Sequence, residues 1–239
     1  KKRQAKIRRI RMNAKKIYMV SGNKGGVGKS FFSLCLIEYL IKKGEKLSII
    51  EVDTGNPDVA LTYEGTDIDV QSVDTLKAES PLVDLVTAIE NTKNDFIVIN
   101  TGARDNCTIE ELKPFYDCIQ EIASDFRVFW LVLSGEIGIV ALENFLEATG
   151  LDKGKLTVVM NFYVTKILNN FAFNSSGLKN EILAAGGSEM ILPAMAIRLS
   201  DWLLNSHTRM SEAKITLVNK ICIEAHMKEV AKNLGKIGV

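Results

Sequence analysis

Lys16-Ile17-Tyr18-Met19-Val20-Ser21, followed directly by Gly22-Asn23-Lys24-Gly25-Gly26-Val27-Gly28-Lys29-Ser30, is the stretch that decides the fold. Its first six residues read as a strand, and the apolar run 30–43 that follows reads as a buried helix stopped at Gly44. A glycine-rich turn between a strand and a helix is the setting that a phosphate-binding loop requires. Glycines let the backbone curl so that successive N–H groups point at phosphate oxygens. The helix that follows directs its positive end at the same point. Lys29 has the reach for β- and γ-phosphates, and the Ser30 hydroxyl can ligate Mg²⁺. Gly25, Gly26, Val27, Gly28, Lys29, Ser30 and Phe31 are therefore the candidate nucleotide cradle. At average residue usage, the pattern Gly-Gly-x-Gly-Lys-Ser/Thr arises by chance in roughly one chain in a thousand of this length.

Outward from this loop, apolar runs alternate with segments of helical period. Strands are predicted over 46–52, 95–100, 127–134, 155–162 and 189–193, and helices over 80–92, 108–123, 137–149, 177–185 and 209–234. The run Phe96-Ile97-Val98-Ile99 lacks polar alternation, as a strand covered on both faces does. Repeated strand–helix alternation predicts an α/β protein with a mostly parallel sheet and helices on both faces, and the loop motif and the family resemblance given below imply the P-loop NTPase fold. Ligands in such sheets bind at the carboxyl ends of the strands. No stretch is rich enough in Pro, Gly or Ser to mark a linker, so 12–239 is expected to be a single domain.

The chain has 239 residues, 46% hydrophobic and 25% charged, which excludes collagen-like and largely disordered classes. No apolar run approaches the roughly 18 to 20 residues that span a bilayer, and no signal peptide opens the chain. The net charge of +1 hides an asymmetry. Residues 1–11 carry seven basic groups and no acid; without them, 23 Lys and Arg face 29 Asp and Glu. This basic extension is either an addition upstream of Met12 or an arm for nucleic acid or acidic partners. Cys35, Cys107, Cys118 and Cys222 show no CxxC spacing and read as buried thiols of a reducing, cytoplasmic compartment. With His207 and His226 far from any Cys pair, a zinc site is not expected.

Lys24-Gly25-Gly26-Val27-Gly28-Lys29-Ser30 resembles the deviant Walker A motif of the ParA/MinD superfamily of P-loop ATPases, and Asn23 resembles the ParA type. The resemblance extends over about 14–200 as an ordered set of landmarks. It implies that Lys24 reaches across a homodimer to the partner's nucleotide. It implies that Asp53, after strand 46–52, orients the attacking water, although a turn-forming Asp is common there too. Asn161 would hydrogen-bond adenine, and Pro193 would lie beside the base. Two positions depart from the family pattern. Glu51 stands where an Asp is frequent, and Asn100 stands in place of the Walker B Asp. An amide can hold a Mg²⁺-bound water but brings no charge to the ion.

The resemblance therefore implies a switch that binds ATP and Mg²⁺, dimerises and slowly hydrolyses ATP in plasmid partition, stability or conjugative mobilisation. Its partner would be a DNA-bound adaptor or a relaxosome or partition protein. Non-specific DNA contact would use Arg198, Arg209, Lys214 and Lys220. Two alternatives stand beside it: a membrane-linked MinD-like positioning ATPase, and a non-hydrolysing nucleotide-binding scaffold suggested by Asn100. The tail lacks the amphipathic, aromatic-bearing helix of a membrane anchor. A metabolic P-loop kinase has no use for Lys24.

Overall fold

A computed structural model describes residues 15–22, 25–74, 80–102, 109–163, 170–213 and 215–239. The basic extension 1–11, together with Asn23, Lys24, Arg104, Cys107 and Lys214, lies outside the described residues. Seven strands form one sheet: β1 (Lys16–Ser21), β2 (Leu47–Glu51), β3 (Asp69–Ser72), β4 (Phe96–Asn100), β5 (Asp125–Val132), β6 (Leu156–Asn161) and β7 (Ser188–Leu192). Their order is β3-β2-β4-β1-β5-β6-β7, and every pairing is parallel.

The two-residue period of the strands sorts side chains between two cores. In β1, Tyr18 and Val20 enter one cluster, and Ile17 and Met19 the other. The first cluster packs against α1 (Lys29–Lys42), α2 (Asp58–Tyr63), α7 (Ile197–Asn205) and α8 (Leu217–Lys236). The second packs against α3 (Pro81–Asn91), α4 (Ile109–Ile122), α5 (Glu136–Thr149) and α6 (Gly177–Ala184). Helices thus cover both faces. This explains why β2, β4 and β6 are buried at every residue and read as continuous apolar runs. Because β1 lies between β4 and β5, the strand order reverses beside the glycine loop, and the crevice of the sheet opens there.

Several details differ from the sequence expectations. Residues 69–72 form edge strand β3, which needs no apolar run because one side faces solvent; Ser48 Oγ fastens it to Asp69 Oδ2 at 2.8 Å. Short helices α2 and α7 occupy stretches given no element, and the last helix starts at Leu217, not at 209. Strand β5 begins two residues early, at Asp125. Of the cysteines expected to be buried, Cys35 is, whereas Cys118 and Cys222 are exposed on the outer faces of α4 and α8.

Candidate functional site

The loop leaves β1 and turns through two left-handed glycines, Gly26 at φ 75° and Gly28 at φ 101°. Val27 is buried and anchors the loop between them. Lys29 opens α1 and is only 6% exposed, and Ser30 follows in the first turn. Asn161, at the end of β6, donates from Nδ2 to the Val27 carbonyl at 2.9 Å, while its Oδ1 accepts from Tyr163 N at 2.9 Å. The loop is therefore gripped from β6 as well as from β1. On the other side, Thr101 donates from both N and Oγ1 to the Val20 carbonyl, at 3.1 and 3.0 Å, tying the exit of β4 to the end of β1.

Above this loop lies a cavity of about 370 Å³, within the range of small-molecule sites. Gly25, Gly26, Gly28, Lys29, Ser30 and Phe31 meet in it with Asp53 and Asn161 from two other strand ends. Three sequence-predicted residues stand back from it. Val27 is packed beneath the loop, and Pro193 follows β7 without lining the cavity, where Met195 two residues later does. Asn100 is 0% exposed, and both of its amide atoms are engaged: Oδ1 accepts from Ser33 Oγ, and Nδ2 donates to Glu51 Oε1, each at 2.8 Å.

Asp53 begins the loop between β2 and α2 and accepts from Asn56 N at Oδ1, 3.2 Å. Glu51 is fully buried. Desolvation pushes its carboxyl up to about 7, although hydrogen bonds from Asn100 and from the amides of Asp53 and Ala60 pull the other way. Asp58 is also raised, mainly by desolvation, and His207 opposes this.

Sequence reading missed Asn56, Asp58 and Tyr163, and missed Met195, Ser200 and Leu204 on the α7 side of the cavity. For α7 the signal was there: Leu199 and Leu203 are four apart, and both are buried. It also misjudged Arg209. That side chain is 14% exposed, ion-paired from Nε to Glu38 at 3.2 Å and from Nη1 to Glu212 at 2.7 Å, and set over the Tyr63 ring. A guanidinium bound in this way is not offered to phosphates. Arg198 and Lys220 are exposed.

The chain is similar to known proteins. Residues 18–234 match the CobQ/CobB/MinD/ParA nucleotide-binding domain. The chain belongs to that family. It is 28% identical over 202 residues to Protein MobD of Acidithiobacillus ferrooxidans, covering 84% of this chain and 87% of that protein. The fold is shared with a protein of Borrelia burgdorferi B31 described as a plasmid partition protein and bound to AMPPNP. That match has a TM-score of 0.57 and 16% identity, and covers 93% of this chain and 98% of that one. The MinD cell division protein of Aquifex aeolicus matches with a TM-score of 0.52 and 16% identity, over 91% and 97% of the two chains. As a ParA/MinD-type protein, this chain has the family's nucleotide-binding fold, and no described helix is long and apolar enough to cross a membrane.

Proposed function

We propose that residues 12–239 act as one ATPase domain that binds ATP with Mg²⁺, forms a homodimer over the nucleotide and hydrolyses it slowly. The observation that carries this reading is the convergence of Lys29, Ser30 and Asp53 in one cavity over a left-handed glycine loop. Lys29 and the loop amides would hold the phosphates, and Ser30 would hold Mg²⁺, whose charge neutralises phosphate oxygens when bound. The carboxylate of Asp53 would accept a hydrogen bond from the attacking water. Lys24 would act across the dimer. Asn161 would act by holding the loop, and Met195, two residues beyond Pro193, would stand nearer the base.

Two observations favour a second copy over the mouth of the sheet. Ile137 and Val140 are exposed in the first turns of α5, just past the carboxyl end of β5, and Ile197 is exposed at the start of α7. The cellular role we favour is plasmid partition, stability or mobilisation, supported by similarity to MobD and to a plasmid partition fold. The partner would be a DNA-bound adaptor or a relaxosome or partition protein, with Arg198 and Lys220 the exposed candidates among the described residues for direct DNA contact.

The deciding experiment pairs two variants. Lys29→Ala abolishes ATP binding in calorimetric titration, and Asp53→Ala retains binding but loses single-turnover hydrolysis. Unchanged ATP affinity in Lys29→Ala defeats the proposal. Binding without any turnover in the wild type turns the protein into a nucleotide-sensing scaffold.

A further inference from the structure

Glu51 ends β2, Asn100 ends β4, and the parallel register places the two residues opposite each other. Both are 0% exposed. Asn100 hands its amide hydrogen to Glu51 Oε1 and takes a hydrogen bond from Ser33 on α1. Glu51 in turn accepts from the backbone N of Asp53 at 3.0 Å through Oε1, and from that of Ala60 at 3.3 Å through Oε2. One carboxylate thus holds both ends of the segment that carries Asp53: its first residue and the opening turn of α2. Three hydrogen bonds run from Ser33, one turn beyond Ser30, through Asn100 and Glu51 to Asp53.

The chemistry requires this division of residue types. An amide offers a donor to Glu51 and an acceptor to Ser33 at once. An Asp at position 100 would set two carboxylates within hydrogen-bond distance in a dry site, where both cannot ionise. Glu has one methylene more than Asp, which extends its reach toward two separate backbone amides. The two departures from the family pattern therefore meet in one hydrogen-bonded pair, a longer carboxylate on β2 and an amide on β4. We propose that Glu51, oriented by Asn100, is the positioning residue that holds Asp53 at the nucleotide; this rests on the ATPase reading above.

The test measures ATP-analogue affinity, single-turnover hydrolysis and amide hydrogen exchange on the full chain. Glu51→Gln keeps the size but turns an NH₂ toward donors. Hydrolysis should fall roughly 10- to 100-fold, the scale for a misplaced catalytic group, while affinity for a fluorescent ATP analogue stays within about threefold. Exchange at the Asp53 and Ala60 amides should accelerate. Asn100→Asp alone should also slow hydrolysis, and Glu51→Gln combined with Asn100→Asp should recover much of it by restoring one amide against one carboxylate. Should Glu51→Gln fail to fold, Ser33→Ala cuts the far end of the chain and should show the same split at smaller amplitude. Hydrolysis unchanged in these variants overturns the positioning role and leaves the ATPase reading intact. Affinity lost in parallel with hydrolysis also overturns it, because Glu51 would then support only the fold. A wild type that binds ATP without turnover overturns both.

Discussion

Asn161 Nδ2 lies 2.9 Å from the Val27 carbonyl, so the end of β6 holds the phosphate loop from the side opposite its covalent attachment to β1. The other amide atom is committed to Tyr163 N. Asn161→Ala therefore acts through the loop. A neutral hydrogen bond contributes about 1 kcal/mol, or roughly fivefold in affinity. The loss should be the same for ATP and GTP in parallel titrations. A loss confined to ATP would assign Asn161 to adenine recognition instead.

Gly26 and Gly28 separate strain from collision. Both have positive φ, so an alanine at either costs about 1–2 kcal/mol of backbone energy. A Cβ on Gly26 meets nothing within 4 Å, whereas one on Gly28 lies 2.4 Å from Asn161 Nδ2. Gly28→Ala must displace Asn161 as well, and should abolish nucleotide binding in calorimetry. Gly26→Ala should retain measurable binding. Equal effects would mean that the Asn161 contact is not part of the site.

The family and the sheet were legible because the loop motif is rare and because doubly buried strands carry no polar alternation to confuse the period. Elements whose burial is slight or whose length is short were not. Edge strand β3 and the six residues of α2 give periodicity too little to work with. Pairings between distant segments were illegible for a different reason. Glu51 and Asn100 meet only through strand register, and Arg209 meets Glu38 across 171 positions of sequence. Viewed alone, Arg209 is simply a basic residue in a mildly basic tail. The cavity wall contributed by α7 depended on a helix whose short amphipathic signal was passed over.

Arg209, Glu38 and Tyr63 join the loop before α8 to α1 and α2. Glu38 is buried and also accepts from the Tyr63 hydroxyl at 3.0 Å. Removing one partner of a buried ion pair costs about 3–5 kcal/mol because the remaining charge is left uncompensated. Arg209→Ala should fall toward the lower end of that range, since Tyr63 still serves Glu38. Arg209→Lys should rescue only part of the loss, as it lacks the planar fork and the stacking over Tyr63. Urea unfolding curves measure both. A native-like midpoint for Arg209→Ala would release the residue for a surface role such as DNA contact.

His226 provides the pH test. It projects from α8 against α1 and is 7% exposed, with Nε2 3.6 Å from Cys35 Sγ and its ring 5.5 Å from that of Phe31. Its Nδ1 is buried without a hydrogen-bond partner among the described residues. Burial alone lowers its pKa to about 4, and burial likewise pushes the Cys35 thiol far up, so both groups are neutral across the physiological range. In the unfolded chain a histidine titrates near 6.5. Between about pH 6.5 and 4 the unfolded state therefore takes up a proton that the folded state refuses, and stability falls as the pH drops through that window. Above 6.5 the contribution is fully present; below 4 both states are protonated and no more is lost. The shift corresponds to roughly 3 kcal/mol. Carboxylates titrate in the same interval, so the readout is the difference between wild type and His226→Leu in urea unfolding at pH 7 and pH 4.5. The gap between the two proteins should narrow, or change sign in favour of the variant, on acidification. Curves that stay parallel over this range would show that His226 takes up its proton at the same pH in the fold as in the unfolded chain, so that burial does not withhold it.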